Sequence, residues 1–329
     1  MRLALYVLGA TGLALLVALV VGQGIGDLAR ALAGAGWWLA VLVALHTLPL
    51  LADAMAWRAL IASPARPSIA TAVLVRWIGE SVNGLLPAAQ IGGEVVRARA
   101  AALRGVPGVV AGASVTVDLT LGVAVQIVLT LVGVGLLVTA REGDANGVLV
   151  VTVLAGVAVI ALLVGLFYAV QRGGLFHFLA RVAGRLGRTA DWTRVTGAAA
   201  ALDGAIAALY RDPGRLVAST LWRTAGWLLG AGEVWLALYA LGRPVPIEDA
   251  LMLEILGQAV RSGAFFVPAG LGVQEGGLML LGGAVGVMPT TALALSLVKR
   301  VREISLGVPG LVTWQIVEGH RLREARRTP

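Results

Sequence analysis

The chain has 329 residues, 58% of them hydrophobic and 13% charged, with a mean hydropathy of +0.89, whereas a soluble domain carries about 25% charged residues. Apolar runs of spanning length recur throughout, so this is a polytopic membrane protein with no segment suited to a soluble core. The net charge of +8 comes from arginines gathered in short connections, as the positive-inside rule expects. No recognition motif accompanies that charge, which excludes nucleic acid as a partner. With no cysteine in the chain, disulfides, thiolate nucleophiles and thiolate metal sites are excluded too.

In chain order, the run from Leu3 to Val21 is longer than a signal-peptide core and lacks an Ala-x-Ala cleavage site, so it reads as a retained span. Further spans are expected near residues 37–57, 108–139, 148–170, 215–241 and 290–317. The stretch from Arg58 to Arg66, the cluster Arg97, Arg99 and Arg104, the polar connection 171–213 and the tail 320–329 belong on the cytoplasmic side. The C-terminus is then cytoplasmic. Within 171–213, Leu175, Phe178, Leu179, Val182 and Leu186 recur at helical spacing. That pattern suits an amphipathic helix on anionic headgroups or a connector packed on the bundle.

Two segments carry helix breakers beside an ionisable group: Pro87-Ala-Ala-Gln-Ile-Gly92-Gly93-Glu94 and Pro268-Ala-Gly270-Leu-Gly272-Val-Gln274-Glu275. At membrane depth such a combination lines a protein-buried cavity, because lipid can neither satisfy freed backbone groups nor solvate a carboxylate. The flanking charges make each segment a re-entrant hairpin, one entering from the cytoplasm and one from outside, which is the arrangement of an inverted repeat. The alternative is that both arms of each segment span fully. The expected fold is therefore an all-α polytopic membrane protein with about six full spans plus two broken or re-entrant helical hairpins. It forms a single integral membrane domain over 1–329, with repeat halves at 68–139 and 250–317.

Registering Pro87 on Pro268 carries Glu94 onto Glu275, Glu80 onto Arg261 and Asp118 onto Lys299, the only lysine. The last two pairs are opposite in sign, so a pseudo-two-fold axis makes Glu80 with Arg261 and Asp118 with Lys299 candidate intramembrane ion pairs. Such pairs either serve transport or hold the halves in register, and Glu303 competes for Lys299 at i, i+4. The candidate substrate-binding residues are Glu80, Asn83, Pro87, Gly92, Gly93, Glu94, Arg97, Arg261, Pro268, Gly270, Gly272, Gln274 and Glu275. Asn83 contacts a lipid headgroup or caps broken-helix carbonyls. His46, His177 and His320 lie in separate segments and form no metal pattern; His46 reads as a helix–helix hydrogen-bonding residue. Phosphate-loop and nucleophile-elbow motifs are missing from the sequence, so no cofactor is expected.

The string Arg76-Trp-Ile-Gly-Glu80-Ser-Val-Asn83-Gly-Leu-Leu-Pro87, followed by Gly92-Gly93-Glu94-Val-Val-Arg97, resembles the first signature of the lysylphosphatidylglycerol synthase transmembrane-domain family. Phe266-Val-Pro268-Ala-Gly270-Leu-Gly272-Val-Gln-Glu275-Gly276 resembles the second, in a variant most similar to the branch associated with hopanoid biosynthesis. The resemblance implies an integral bacterial inner-membrane domain that moves or flips a lipid, with lipid-biosynthetic enzymes as potential partners. Only a short basic tail follows the last expected span, so the synthase activity of full-length relatives is not carried over. The reading is a lipid transporter serving hopanoid or another polar-headgroup lipid. The alternatives are a membrane-embedded enzyme or accessory subunit acting on a polyprenyl or hopanoid lipid, and a scaffold for other lipid-biosynthetic proteins.

Overall fold

A computed structural model of the chain describes residues 14–86, 92–140, 147–178, 180, 192–264 and 267–325. Among these residues every regular element is helical. The surface is inverted relative to that of a soluble protein: Leu162 and Leu280 are 72% and 73% exposed, while Asp118 and Glu275 are fully buried. Three helical stretches, Trp38–Ala59, Gly108–Val138 and Leu154–Arg172, are long and apolar enough to cross a membrane.

A helical stretch over 14–22 precedes α1 (Ile25–Ala35), α2 (Trp38–Leu45) and α3 (Thr47–Ala59). Next come α4 (Ile69–Leu85), α5 (Gly92–Leu103) and α6 (Gly108–Ala140), then α7 (Gly147–Arg172), α8 (Trp192–Tyr210) and α9 (Pro213–Ala240). The last three helices are α10 (Ile247–Gly263), α11 (Val273–Ala284) and α12 (Pro289–Ala325). Ser68 starts α4 by accepting from the Thr71 N–H at 3.2 Å, which satisfies a donor that has no partner inside the helix. Asp212 starts α9 in the same way through the Arg215 N–H, with Pro213 in the first turn.

Two trios of helices match in size. The helices α4, α5 and α6 have 17, 12 and 33 residues, and α10, α11 and α12 have 17, 12 and 37. Their packing is reciprocal, with α12 along α4 and α6 along α10. At 1.5 Å per residue, α5 and α11 are about 18 Å long, short of the hydrocarbon core of about 30 Å. Neither can cross a bilayer alone.

Small side chains bring α3 and α9 together: Ala52 and Asp53 of α3 face Gly226 of α9, as is common where membrane helices approach closely. One buried apolar cluster joins α2, α6 and α9 to α12 through residues such as Leu42, Val134, Leu238, Leu253, Leu278 and Leu295. A second joins α3 to α6 through Trp57, Val75, Ala101 and Val115.

The spans expected near 37–57, 108–139 and 148–170 coincide with the three apolar stretches. Those expected near 215–241 and 290–317 form the helices α9 and α12, but each carries buried charge: Arg223 and Glu233 on α9, Lys299 and Arg302 on α12. Most of the first expected span, 3–13, lies outside the described residues, as do Leu179 and 181–191 of the expected amphipathic connector. The described part of that connector includes α8, which packs on α6 and α7.

Candidate functional site

The first break follows α4, where the capping residue Leu86 is extended (φ −105°, ψ 147°). Pro87 lies outside the described residues, and the helix resumes as α5 at Gly92. Asn83 reaches across: its Oδ1 accepts from the Gly93 N–H at 2.8 Å. It therefore caps a free donor of the new helix rather than the carbonyls of the old one. A Cβ on Gly93 would lie 2.3 Å from the Gly79 carbonyl oxygen, and one on Gly79 would lie 2.2 Å from Arg97 Cγ. These two glycines let α4 and α5 cross and let the Arg97 stem lie over the crossing. Glu94 occupies the first turn of α5, where the helix dipole favours a carboxylate, and sits 2.5 Å from Arg97 Nη1.

The second break is a 3-10 turn, Pro268–Gly270, ahead of α11. Ala269, Gly270 and Gly272 have φ of 53°, 60° and 75°, left-handed values that glycine adopts freely and alanine does not. Arg300 of α12 holds this turn, donating from Nη1 to the Ala269 carbonyl at 2.6 Å and from Nε to Glu275 Oε1 at 3.0 Å. Gln274 accepts from Arg261 at 2.9 Å and donates to Ser296 Oγ at 3.0 Å; the Ser296 hydroxyl donates to Glu275 at 3.2 Å. Glu275, like Glu94, stands in the first turn of its short helix. Its Oε2 is buried with no hydrogen-bond partner among the described residues.

One chain of opposite charges connects these glutamates. From Glu94 it passes through Arg97 to Asp118 at 2.8 Å, then to Arg223, then to Asp53 at 3.5 Å and to Arg76 at 2.5 Å. Arg76 lies 3.9 Å from Glu80, whose Oε1 is 2.9 Å from His46 Nε2. On its other edge, His46 Nδ1 is 2.8 Å from Glu233 Oε2. Glu233 pairs with Arg302, Arg302 lies 3.9 Å from Glu303, and Glu303 binds both Arg261 and Arg300, which closes the path to Glu275.

The chain holds seven carboxylates and six guanidiniums, with His46 between them. It is neutral when His46 carries two N–H groups. A singly protonated ring has only one donor, so bonding to two carboxylates requires a proton on both nitrogens or on one carboxylate. Pairing matters here because a buried ion that loses its partner is strongly destabilising.

Two expected pairs are corrected by this geometry. Asp118 binds Arg97 and Arg223 rather than Lys299, and Lys299 binds Glu254 at 2.5 Å. Glu80 faces His46 and Arg76 rather than Arg261, which binds Gln274 and Glu303. The reason is the reciprocal packing. Each long helix lies against the first helix of the other trio, while α6 and α12, and likewise α4 and α10, have little contact with each other. Equivalent residues therefore stay apart. The local alternative, Lys299 with Glu303, is not formed either, because Glu303 is occupied by arginines.

The remaining candidates fall into two groups. Glu94, Arg97, Arg261, Gln274 and Glu275 are all part of the connected polar interior. Asn83, Gly93, Gly270 and Gly272 shape the two breaks, with Gly92 opening α5 and Pro268 opening the 3-10 turn. Asp53, Arg76, His46, Arg223, Glu233, Arg300, Arg302 and Glu303 complete the chain, and Glu254 completes the lysine pair. Each of these is an ionisable group inside or beside an apolar run, a signal that by itself marks an interior polar site.

Comparison with curated proteins and with solved structures finds no match. A family model for the lysylphosphatidylglycerol synthase TM region matches residues 3–309, a span that includes both breaks and the whole charge chain. The broken helices, the buried charges and this match together place the protein in a membrane, lipid-related group. The chain belongs to the lysylphosphatidylglycerol synthase TM region family.

Proposed function

We propose that the protein transports a lipid between leaflets of the bacterial inner membrane, passing the headgroup through the charged interior while the apolar tails stay in the bilayer. The observation that carries this reading is the unbroken chain from Glu94 to Glu275 inside a bundle whose outer surface is apolar. Taking even paired ions out of water carries a desolvation cost that apolar side chains of similar volume would avoid, so fold stability alone does not require a continuous polar interior. The matching trios and reciprocal packing support an inverted repeat, and the shortness of α5 and α11 supports re-entrant hairpins.

Arg97, at 1% exposure, and Glu275, at 0%, are closed to the outside in this conformation, whereas the Glu80 side chain is 39% exposed. A headgroup would enter by taking over one partner of a paired residue, with arginines attracting an anionic or polyhydroxylated group and carboxylates selecting an amine or hydroxyl. Hopanoids or other polar-headgroup lipids are the substrate class favoured by the variant of the second signature. The test is deletion followed by lipid analysis of each leaflet. Transport predicts an unchanged lipid trapped in the wrong leaflet; accumulation of a precursor of different mass would replace this reading with a membrane-embedded enzyme.

A further inference from the structure

A groove of about 410 Å³ opens where the turn after α3 meets the start of α9, lined by Met55, Arg58, Arg66, Asp212, Arg215 and Trp222 among others. None of these residues belongs to the interior charge chain. Two of its guanidiniums are fixed in place by backbone carbonyls: Arg58 Nε donates to Pro67 O at 2.8 Å, and Arg66 Nε donates to Ile61 O at 2.7 Å. Among the described residues neither side chain makes another hydrogen bond, so the Nη ends of both forks are uncommitted. Arg215 is partly neutralised by Asp212, 2.9 Å from its Nε. Three arginines against one aspartate leave the groove with two unbalanced positive charges. Oriented guanidinium forks of this kind bind phosphate oxygens in pairs.

The walls point to a lipid rather than a free ion. Trp222, 43% exposed, lines the groove together with Gly214, and Val217, Leu221 and Leu228 follow Gly214 along α9 at 56%, 65% and 54% exposure. Their spacing of four and seven residues puts them on one helix face. A tryptophan at a charged site that adjoins an apolar stripe matches the boundary between headgroups and hydrocarbon. We infer that this groove is a peripheral binding site for the phosphate group of an anionic membrane lipid, whose acyl chain lies along the Val217–Leu221–Leu228 face of α9.

The purified full chain in neutral detergent is titrated with phosphatidic acid, with diacylglycerol and with inorganic phosphate, reading Tm and, by native mass spectrometry, bound lipid. Phosphatidic acid is expected to bind saturably and raise Tm, with no shift from diacylglycerol or inorganic phosphate. Arg66→Gln changes an exposed residue, and Ala218→Glu puts a carboxylate into the groove; each should weaken phosphatidic acid binding about tenfold or more. An equal shift with inorganic phosphate alone would assign the groove to a soluble anion. No saturable binding, or undiminished binding by both variants, would overturn the site altogether. Because the groove lies apart from the interior chain, a negative result here leaves the transport reading untouched, and a failure of transport leaves this site testable.

Discussion

His46 Nδ1 and Glu233 Oε2 meet at 2.8 Å, and the opposite edge of the same ring lies 2.9 Å from Glu80. One imidazole thus joins the charges around the first break to those around the second. Replacing it leaves two carboxylates short of a donor, and breaking a buried pair costs about 3–5 kcal/mol. His46→Phe is expected to lower Tm of the purified protein by several degrees, and Glu80→Gln in the same background to recover part of the loss. A Tm for His46→Phe equal to that of the wild type would contradict the bridge.

Partner exchange distinguishes the observed pairs from those that symmetry suggests. Asp118→Asn removes the counter-ion of both Arg97 and Arg223 and should destabilise by roughly 3–5 kcal/mol. Exchanging Asp118 and Lys299, as Asp118→Lys with Lys299→Asp, should not rescue either single change. Glu254→Lys with Lys299→Glu should restore much of what each single variant loses. Expression level and thermal denaturation of the seven variants read the outcome directly.

The crossing of α4 and α5 leaves no room for a side chain at Gly93, where a Cβ would be 2.3 Å from a backbone oxygen. Gly93→Ala is expected to cost about 1–3 kcal/mol through overpacking. Gly84→Ala, on α4 with nothing among the described residues within 4 Å of its Cβ position, should be neutral or stabilising by about 0.5–1 kcal/mol. Thermal melts that rank the two the other way would show that the crossing is not the tight point.

The membrane class, the two breaks and the carboxylates Glu94 and Glu275 beside them were legible in the sequence because each rests on local signals: apolar run length, helix breakers and charge beside them. Partner identity was not. Which helices meet Asp118 depends on how α5 and α9 pack against α6, and sequence symmetry pointed to Lys299 when the packing supplies Arg97 and Arg223. Arg223 and Glu233 lie within a long apolar helix and were visible as lone charges. Their joint role depends on His46, whose two ring edges can be assigned only once α4 and α9 are placed on either side of it.

The central claim is that the interior charge chain carries lipid headgroups, and its most direct measurement is lipid exchange in liposomes reconstituted with the full chain. A fluorescent polar lipid in the inner leaflet should become accessible to an external quencher faster than in empty liposomes. Glu275→Gln, which keeps the size of the side chain but removes the charge facing Arg300 and so lowers Tm, should slow that exchange by about tenfold or more at a temperature well below the Tm of both proteins. Exchange no faster than in empty liposomes, or equal rates for the wild type and Glu275→Gln, would contradict the account.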